Sequence, residues 1–306
     1  MDSMKKMAHG VIVPLLTPLC PDETLDLAGL ERLVEHVVAG GVDAIFVMGT
    51  SGEFARFNDE MQAQCIAETV RLAKGRLPVF AGVSAGGVHQ VLQHIQRAAD
   101  AGASAVVTTA PYYFPNQNAD ELTAFFTQVL DHSSLPVLLY NIPATIGSTI
   151  PLNVLDALYG HPRLIGIKDS GGDVEYLKQL LDRFASPDFA VIAGVESILQ
   201  EALNAGADGM VPSMANPFPK LLSGVWSACC SHDESKLEEL YSMVDRFNKL
   251  NDYTTCWMSP NIWRKEALAQ MGICAATMAQ PSLPMPEEAR RQTAALVAEY
   301  QTVFEK

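Results

Sequence analysis

The chain has 306 residues, of which 48% are hydrophobic and 18% are charged, and its formal net charge is −14 at pH 7. This composition suits one large globular domain, or a barrel with a small appendage. The excess of acidic residues argues against nucleic acid and against anionic membrane surfaces as partners. An anionic substrate stays compatible with it, because a local group of N–H and hydroxyl donors is enough to bind one.

The N-terminal sequence gives no targeting signal. MDSMKKMAHG carries two lysines, but the apolar stretch after it, VIVPLL, is short and contains Pro14. It is too short for the apolar region of a secretory signal, and no uninterrupted apolar run long enough to span a bilayer follows. We therefore expect a cytoplasmic protein with no membrane partner.

The cysteine and histidine spacings match no metal site. No C-x-x-C pair, H-x-H or H-E-x-x-H arrangement is present, so we expect no bound metal. Cysteine is among the residue types most often buried, and we expect free, mostly buried thiols. The six cysteines are Cys20, Cys65, Cys229, Cys230, Cys256 and Cys274.

Strand and helix signals alternate through the first three quarters of the chain. Apolar runs bounded by turn residues predict eight strands, at 11–16, 44–49, 78–84, 105–111, 136–143, 164–170, 189–196 and 209–214. Helical patterns lie between them, most clearly at 27–41, at 58–75 with Asn58 as a candidate N-cap, and at 89–102.

Eight strands, each followed by a helix, predict an α/β fold of the (β/α)8 TIM barrel type. An open doubly wound sheet is the competing fold, but it normally carries a glycine-rich fingerprint after its first strand. The segment here, LTPLCPDETLD, lacks those glycines. Three more helical patterns follow, near 233–250, 260–272 and 286–304. We therefore predict a catalytic barrel over 1–230, and a C-terminal helical extension over 231–306 that packs on the barrel.

In such a barrel, the chemistry lies in the loops that follow the strands. After the second strand comes GTSGEF (49–54), whose Thr50, Ser51 and Gly52 offer hydroxyl and N–H donors for a carboxylate. A tight turn capped by a hydroxyl explains this motif equally well. After the fourth strand comes APYYFP (110–115), where Tyr113 is a candidate contact or a simple packing residue.

The sixth strand, in LIGIKDSGGD (164–173), contains Lys168, although an unpaired ammonium is costly to bury. Burial makes a neutral amine available, which attacks a carbonyl to give a Schiff base. The neighbouring fifth strand ends in LYNIP with Tyr140, and a tyrosine is able to shuttle the protons that this chemistry needs. A buried ion pair of the lysine with Asp169 or Glu196 is the open alternative.

Taken together, GTSGEF, PYYFP, LYNIPATIG and GIKDS resemble, in order and spacing, the pyruvate-handling class I aldolases. That family includes dihydrodipicolinate synthase, N-acetylneuraminate lyase and 2-keto-3-deoxygluconate aldolase. The resemblance implies that Lys168 forms the Schiff base with pyruvate, and that Tyr140 is the general acid and base. It implies that Thr50 and Ser51 bind the pyruvate carboxylate, and that Tyr113 reaches across a subunit interface to complete a relay through Thr50.

The resemblance also implies a homotetramer built as a dimer of dimers, with no metal or organic cofactor. Further candidates for substrate contact are Gly52, Thr145, Ser170, Gly194, Glu196 and Ser213.

Two departures from the family patterns bear on the substrate. Thr145 stands where the synthases usually carry an arginine for the carboxylate of their aldehyde substrate. After Gly194, Glu196 is followed by Ser197, so the second acid of the neuraminate enzymes is missing. Ser170 and Ser213 match positions that contact sugar hydroxyls.

The leading prediction is therefore a carbon–carbon lyase that reversibly cleaves a 2-keto-3-deoxy sugar acid to pyruvate and an aldehyde. The alternatives are a synthase that condenses pyruvate with an aldehyde, and an N-acetylneuraminate lyase. Outside this class stands a non-catalytic protein that binds pyruvate or another keto acid.

Overall fold

The computed structural model of the chain describes residues 7–114, 118–253 and 260–305. Eight parallel strands follow one another in chain order and close into a barrel, so the predicted TIM barrel is confirmed. The strands are β1 Gly10–Pro14, β2 Ala44–Val47, β3 Val79–Gly82, β4 Ala105–Thr109, β5 Val137–Asn141, β6 Leu164–Asp169, β7 Ala190–Ala193 and β8 Gly209–Met210.

Helices alternate with these strands, and further helices follow the last one. Asn58 caps α2 as predicted, because its side chain accepts a hydrogen bond from the Met61 N–H at 2.9 Å. The helices are α1 Leu27–Ala39, α2 Asp59–Ala73, α3 Val88–Asp100, α4 Ala119–His132, α5 Pro143–Ile146, α6 Leu152–Leu158, α7 Val174–Phe184, α8 Leu199–Asn204, α9 Pro219–Cys230, α10 Glu234–Asn248, α11 Pro260–Gln270 and α12 Glu287–Phe304.

All eight predicted strands extend past the observed strand ends, and in two of them this misplaces a candidate site residue. The prediction that Ser213 lies in the last strand is wrong: β8 ends at Met210, and Ser213 begins a 3-10 turn directly after Pro212. A proline has no N–H to donate to a ladder, so the strand cannot continue through it. Glu196 likewise lies beyond its strand, in a 3-10 turn over Glu196–Ile198. β7 stops at Ala193 because its neighbour β6 ends at the paired residue, Asp169.

The chain divides into two compact units. The first comprises Met1–Ile12 and Pro78–Val211, and the second comprises Val13–Leu77 and Pro212–Lys306. In the first unit, β3 to β8 pair in order, and their residues are almost all buried. The boundary that the sequence suggests at residue 230 stays a prediction.

In the second unit, the C-terminal helices meet around the ring of Phe218, which is fully buried. Its centroid lies 4.7 Å from that of Phe247 in α10 and 4.8 Å from that of Tyr300 in α12. The ring of Trp263 in α11 stacks on it at 6.3 Å. Aromatic rings bury large apolar areas, so this cluster helps to hold α10, α11 and α12 together.

Five of the six cysteines lie in the described part of the chain, and all five are free. Cys65 and Cys274 are buried, Cys20 and Cys229 are half-buried, and Cys230 is exposed, so the expected burial holds for only part of the set. Burial raises the pKa of the Cys65 thiol to about 12, so this group stays protonated and unreactive. Cys256 lies outside the described residues. No helix in the described ranges has an apolar stretch long enough to cross a membrane.

Candidate active site

The first unit places the predicted amine and phenol side by side. Tyr140 near the end of β5 and Lys168 near the end of β6 are direct cross-strand partners. The Lys168 Nζ lies 3.7 Å from the centroid of the Tyr140 ring. Both side chains are buried, with exposed fractions of 4% for Lys168 and 5% for Tyr140. The electron-rich face of the ring therefore helps to accommodate the amine in a site with little water.

Asp169, one of the alternative ion-pair partners of the lysine, makes its hydrogen bonds elsewhere. Its Oδ1 accepts from the Asn141 side-chain amide at 2.6 Å and from the Gly171 N–H at 3.1 Å. Side chains of a strand alternate between its two faces, so Asp169 and Lys168 point in opposite directions. No pattern in the sequence alone predicts a functional role for Asn141.

Ser170 and Gly194 converge on the lysine side chain. A Cβ built on Gly194 would lie 2.7 Å from the Lys168 Cε and 2.1 Å from the Ser170 Oγ. A larger residue at this position would therefore force the lysine or the serine side chain to move. The Ser170 Oγ is buried and has no hydrogen-bond partner within the described residues. A buried hydroxyl without a partner is available for a bound substrate.

We expect Gly194→Ala to impair the site without unfolding the protein. The added methyl group would collide with the Lys168 side chain, and a shift of about 1 Å at a reacting group costs about 10²-fold in rate. The measurement is the rate at which borohydride traps a pyruvate adduct, with circular dichroism as the check on folding. Gly87→Ala is the control, because a Cβ at Gly87 would meet no atom within 4 Å. Equal trapping rates in the two variants would contradict this account.

The loop after β5 contains Thr145, the position at which the synthases usually carry arginine. Thr145 lies on the short helix α5 and is exposed. The segment 142–151, IPATIGSTIP, contains no lysine or arginine. A carboxylate on the second substrate would therefore find no cation in this segment.

Two other predicted residues of the first unit differ in burial. Glu196 is half-buried at the start of the turn after β7. Tyr113, in the loop after β4, is 83% exposed and has a left-handed backbone, with φ of 82°. Its ring stands edge-on to that of Phe114, which is 74% exposed. The role of Tyr113 at a subunit interface stays a prediction.

The second unit contains the predicted carboxylate cradle and Ser213. Thr50, Ser51 and Gly52 form the loop after β2, and the Thr17 hydroxyl donates to the Gly52 carbonyl at 2.7 Å. Ser213, in the turn after β8, accepts from the Asn216 side-chain amide through its own carbonyl at 2.9 Å.

A buried ion pair supports this loop, and no sequence pattern predicts it. Glu53 directly follows Gly52, and its Oε1 lies 2.7 Å from the Nζ of Lys265 on α11. Neither side chain is exposed. Burial lowers the pKa of Lys265, whereas the charge of Glu53 raises it. The only sequence signal was an acid in a loop otherwise made of glycine and hydroxyl residues.

The Glu53 carboxylate accepts further hydrogen bonds, and these connect the loop after β2 to the segment that follows α11. The Ala279 N–H donates to Glu53 Oε2 at 3.0 Å, and the Lys265 Nζ also donates to the Thr277 carbonyl at 2.7 Å. Arg56 approaches the same Oε2 at 3.4 Å and donates to the Ala279 carbonyl at 2.5 Å. The position of the loop over Thr50–Gly52 therefore depends on the C-terminal part of the chain.

Known proteins resemble this chain over nearly its whole length. The model of the dihydrodipicolinate synthetase family matches residues 7–300. A 4-hydroxy-tetrahydrodipicolinate synthase of Stenotrophomonas maltophilia is 34% identical over 266 residues, which cover 86% of this chain and 87% of that protein. A DapA-like lyase of Halobacterium salinarum, itself uncharacterised, is 33% identical and covers 77% of each chain.

Solved structures show the same similarity. Dihydrodipicolinate synthase from Bacteroides thetaiotaomicron superposes with a TM-score of 0.88 at 34% identity, covering 95% of this chain and 98% of that one. A prophage protein of E. coli K12, of the dihydrodipicolinic acid synthase family and solved in complex with pyruvate, has a TM-score of 0.88 at 26% identity. It covers 96% of this chain and 99% of its own.

Proposed function

Since this chain belongs to the dihydrodipicolinate synthetase family of pyruvate-dependent class I aldolases, we propose that it joins pyruvate to an aldehyde through a Schiff base on Lys168. The observation that carries this proposal is the buried Lys168 amine, 3.7 Å from the centroid of the Tyr140 ring. Two neighbouring residues support the same proposal. Ser170 offers a buried hydroxyl, and Gly194 leaves space beside the Lys168 side chain.

The reaction begins when the neutral Lys168 amine adds to the keto carbon of pyruvate. Loss of water gives a protonated imine, which draws electrons from the neighbouring methyl carbon. That carbon loses a proton and becomes an enamine, which attacks the carbonyl carbon of the aldehyde. The new alkoxide takes up a proton, and water then hydrolyses the imine to release the product and the free amine. We assign the proton transfers to the Tyr140 hydroxyl.

We assign the pyruvate carboxylate to the loop after β2. Thr50 and Ser51 supply hydroxyls, and the backbone N–H groups up to Gly52 supply further donors. This assignment rests on the family resemblance of the motif GTSGEF. On the same ground we propose a cytoplasmic homotetramer in which Tyr113 completes the relay through Thr50.

The names of the relatives favour condensation over cleavage. Both the Stenotrophomonas protein and a 29% identical protein of Methanosarcina acetivorans are named 4-hydroxy-tetrahydrodipicolinate synthase. We therefore rank condensation of pyruvate with an aldehyde first. The sequence alone favours cleavage and gives condensation as an alternative.

A second candidate function is reversible cleavage of a 2-keto-3-deoxy sugar acid, and one specific observation supports it. The loops 142–151, 170–173 and 194–198 contain no lysine or arginine, and they do contain hydroxyl side chains. Such loops suit a neutral, hydroxylated aldehyde better than one that bears a second carboxylate. The two candidates share one chemistry, because cleavage runs through the same enamine in reverse.

The test is a comparison of kcat/KM values for a panel of substrates. Pyruvate is offered with aspartate semialdehyde or with glyceraldehyde, and 2-keto-3-deoxygluconate is offered alone for cleavage. A higher value for aspartate semialdehyde supports the synthase reading. A higher value for glyceraldehyde and for cleavage supports the sugar-acid reading. No turnover in any arm, with wild-type protein that is folded, would contradict both.

A further inference from the structure

Behind the reactive pair of Tyr140 and Lys168, a second pair of side chains joins the same two strands. The strand register matches Asn141 with Asp169, one residue after Tyr140 and Lys168. Successive side chains point to opposite faces of a strand, so the second pair lies on the face away from the amine and the phenol. Asn141 and Asp169 are each only 1% exposed, and the amide donates to the carboxylate at 2.6 Å.

This pair also holds the two loops that follow these strands. The Ile150 N–H donates to the Asn141 Oδ1 at 2.9 Å, which fixes the far end of the loop after β5. The Gly171 N–H donates to the Asp169 Oδ1 at 3.1 Å, which fixes the start of the loop after β6. The Tyr176 hydroxyl of α7 donates to the Ile150 carbonyl at 2.6 Å. One network therefore connects both strand ends to the loops that contain Thr145 and Ser170.

The Asp169 carboxylate is held by neutral donors. Its Oδ2 is buried and has no hydrogen-bond partner within the described residues. Burial raises the pKa of Asp169 above its usual value, and the hydrogen bonds from Asn141 and Gly171 offset only part of that shift. What this position needs is a hydrogen-bond acceptor for two N–H groups, which a carboxamide also supplies.

We propose that Asn141 and Asp169 are positioning residues whose side-chain hydrogen bond keeps Tyr140 and Lys168 in the register that proton transfer at the imine requires. The inference rests on the proposed function, because its effect is on aldol turnover. A misplacement of about 1 Å at a reacting group costs about 10²-fold in rate, so a small shift between the strand ends is enough to be measured.

An exchange of the two side chains tests this directly. Asn141→Asp alone sets two carboxyl groups at a contact of 2.6 Å. At a pH above the raised pKa of this pair both groups are charged, and their repulsion forces the strand ends apart. We expect kcat to fall about 10²-fold, with a smaller change in the KM for pyruvate. The double variant Asn141→Asp with Asp169→Asn restores an amide opposite a carboxylate and keeps an acceptor for the Ile150 N–H. The Gly171 N–H shares the Asp169 Oδ1 with Asn141 in the wild type, so in the double variant it faces an amide NH2 and loses that bond. We expect it to recover kcat to within about tenfold of the wild type.

Two further variants serve as controls. Asp169→Asn alone keeps an acceptor for the Asn141 amide and for the Gly171 N–H, and we expect kcat within about tenfold of the wild type. Asn153→Asp adds the same charge at an exposed position on α6, and we expect it to leave kcat unchanged. Thermal denaturation of each variant shows whether it is folded at the assay temperature.

The inference is overturned if Asn141→Asp is as active as Asn153→Asp, or if the folded double variant is no more active than Asn141→Asp. Should Asn141→Asp not fold, the double variant decides, because recovery of folding and of turnover together shows the same coupling. Trapping of pyruvate with borohydride on the wild type reports separately on the proposed function. A wild type that forms no adduct refutes that function, whereas adduct and turnover with no effect of Asn141→Asp refute only the positioning role.

Discussion

Lys168→Ala is expected to lose aldol turnover by at least about 10³-fold, because removing a nucleophile removes the covalent route itself. Lys168→Arg is expected to fail as well, since a guanidinium stays charged and does not add to a carbonyl. The measurement is kcat/KM in whichever direction of the reaction the substrate panel identifies.

The same variant is expected to fold at least as stably as the wild type. Taking an amine that is 4% exposed out of water costs free energy, and relief of that cost offsets the contacts that alanine removes. If Lys168→Ala melts at the same or a higher temperature than the wild type and has lost turnover, the lysine is needed for function and not for stability. Lys178→Ala, at an exposed position on α7, is the control that should leave both quantities unchanged. Turnover of Lys168→Ala near the wild-type level would contradict the Schiff-base mechanism.

Lys265→Met is expected to give the largest loss of stability. It removes the cation that lies 2.7 Å from the buried Glu53 carboxylate and leaves Arg56 at 3.4 Å, and breaking a buried ion pair in this way costs about 3–5 kcal/mol. The free energy of unfolding from urea denaturation measures this. Because Glu53 directly follows the cradle loop, we also expect the KM for pyruvate to rise in the fraction that stays folded.

The double variant Glu53→Gln with Lys265→Met is compared with Lys265→Met alone. It removes both charges, so the penalty of one unpaired buried charge disappears and most of the stability should return. Lys178→Met is the matched control, because the Lys178–Glu175 pair is exposed by 51% and 75%, and its loss costs less than about 1 kcal/mol. Equal losses for Lys265→Met and Lys178→Met would show that the buried pair contributes nothing beyond a surface contact.

The barrel and the adjacency of Tyr140 and Lys168 were predictable because both follow from local patterns and the order of the strands. Short apolar runs at regular spacing specify eight strands, and a lysine in such a run stands out because burial of an amine is costly. That Tyr140 and Lys168 lie side by side follows from the order of the strands, and it is observed.

The supporting contacts were not predictable in the same way. Glu53 and Lys265 are 212 residues apart, and Asn141 and Asp169 are 28 apart. Such pairs are decided by packing and register, which no local pattern encodes. Ser213 was misplaced for a local reason, since the strand pattern in GMVPSM took no account of the missing N–H of Pro212.

The most direct test of the account is intact-mass spectrometry of wild type and Lys168→Ala after incubation with pyruvate and borohydride. Reduction of the imine fixes pyruvate to the amine, and peptide mapping then identifies the modified residue. We predict one pyruvate adduct on the wild type, located at Lys168, and none on the folded Lys168→Ala variant. Absence of the adduct from folded wild-type protein, or an adduct on the variant, would contradict it.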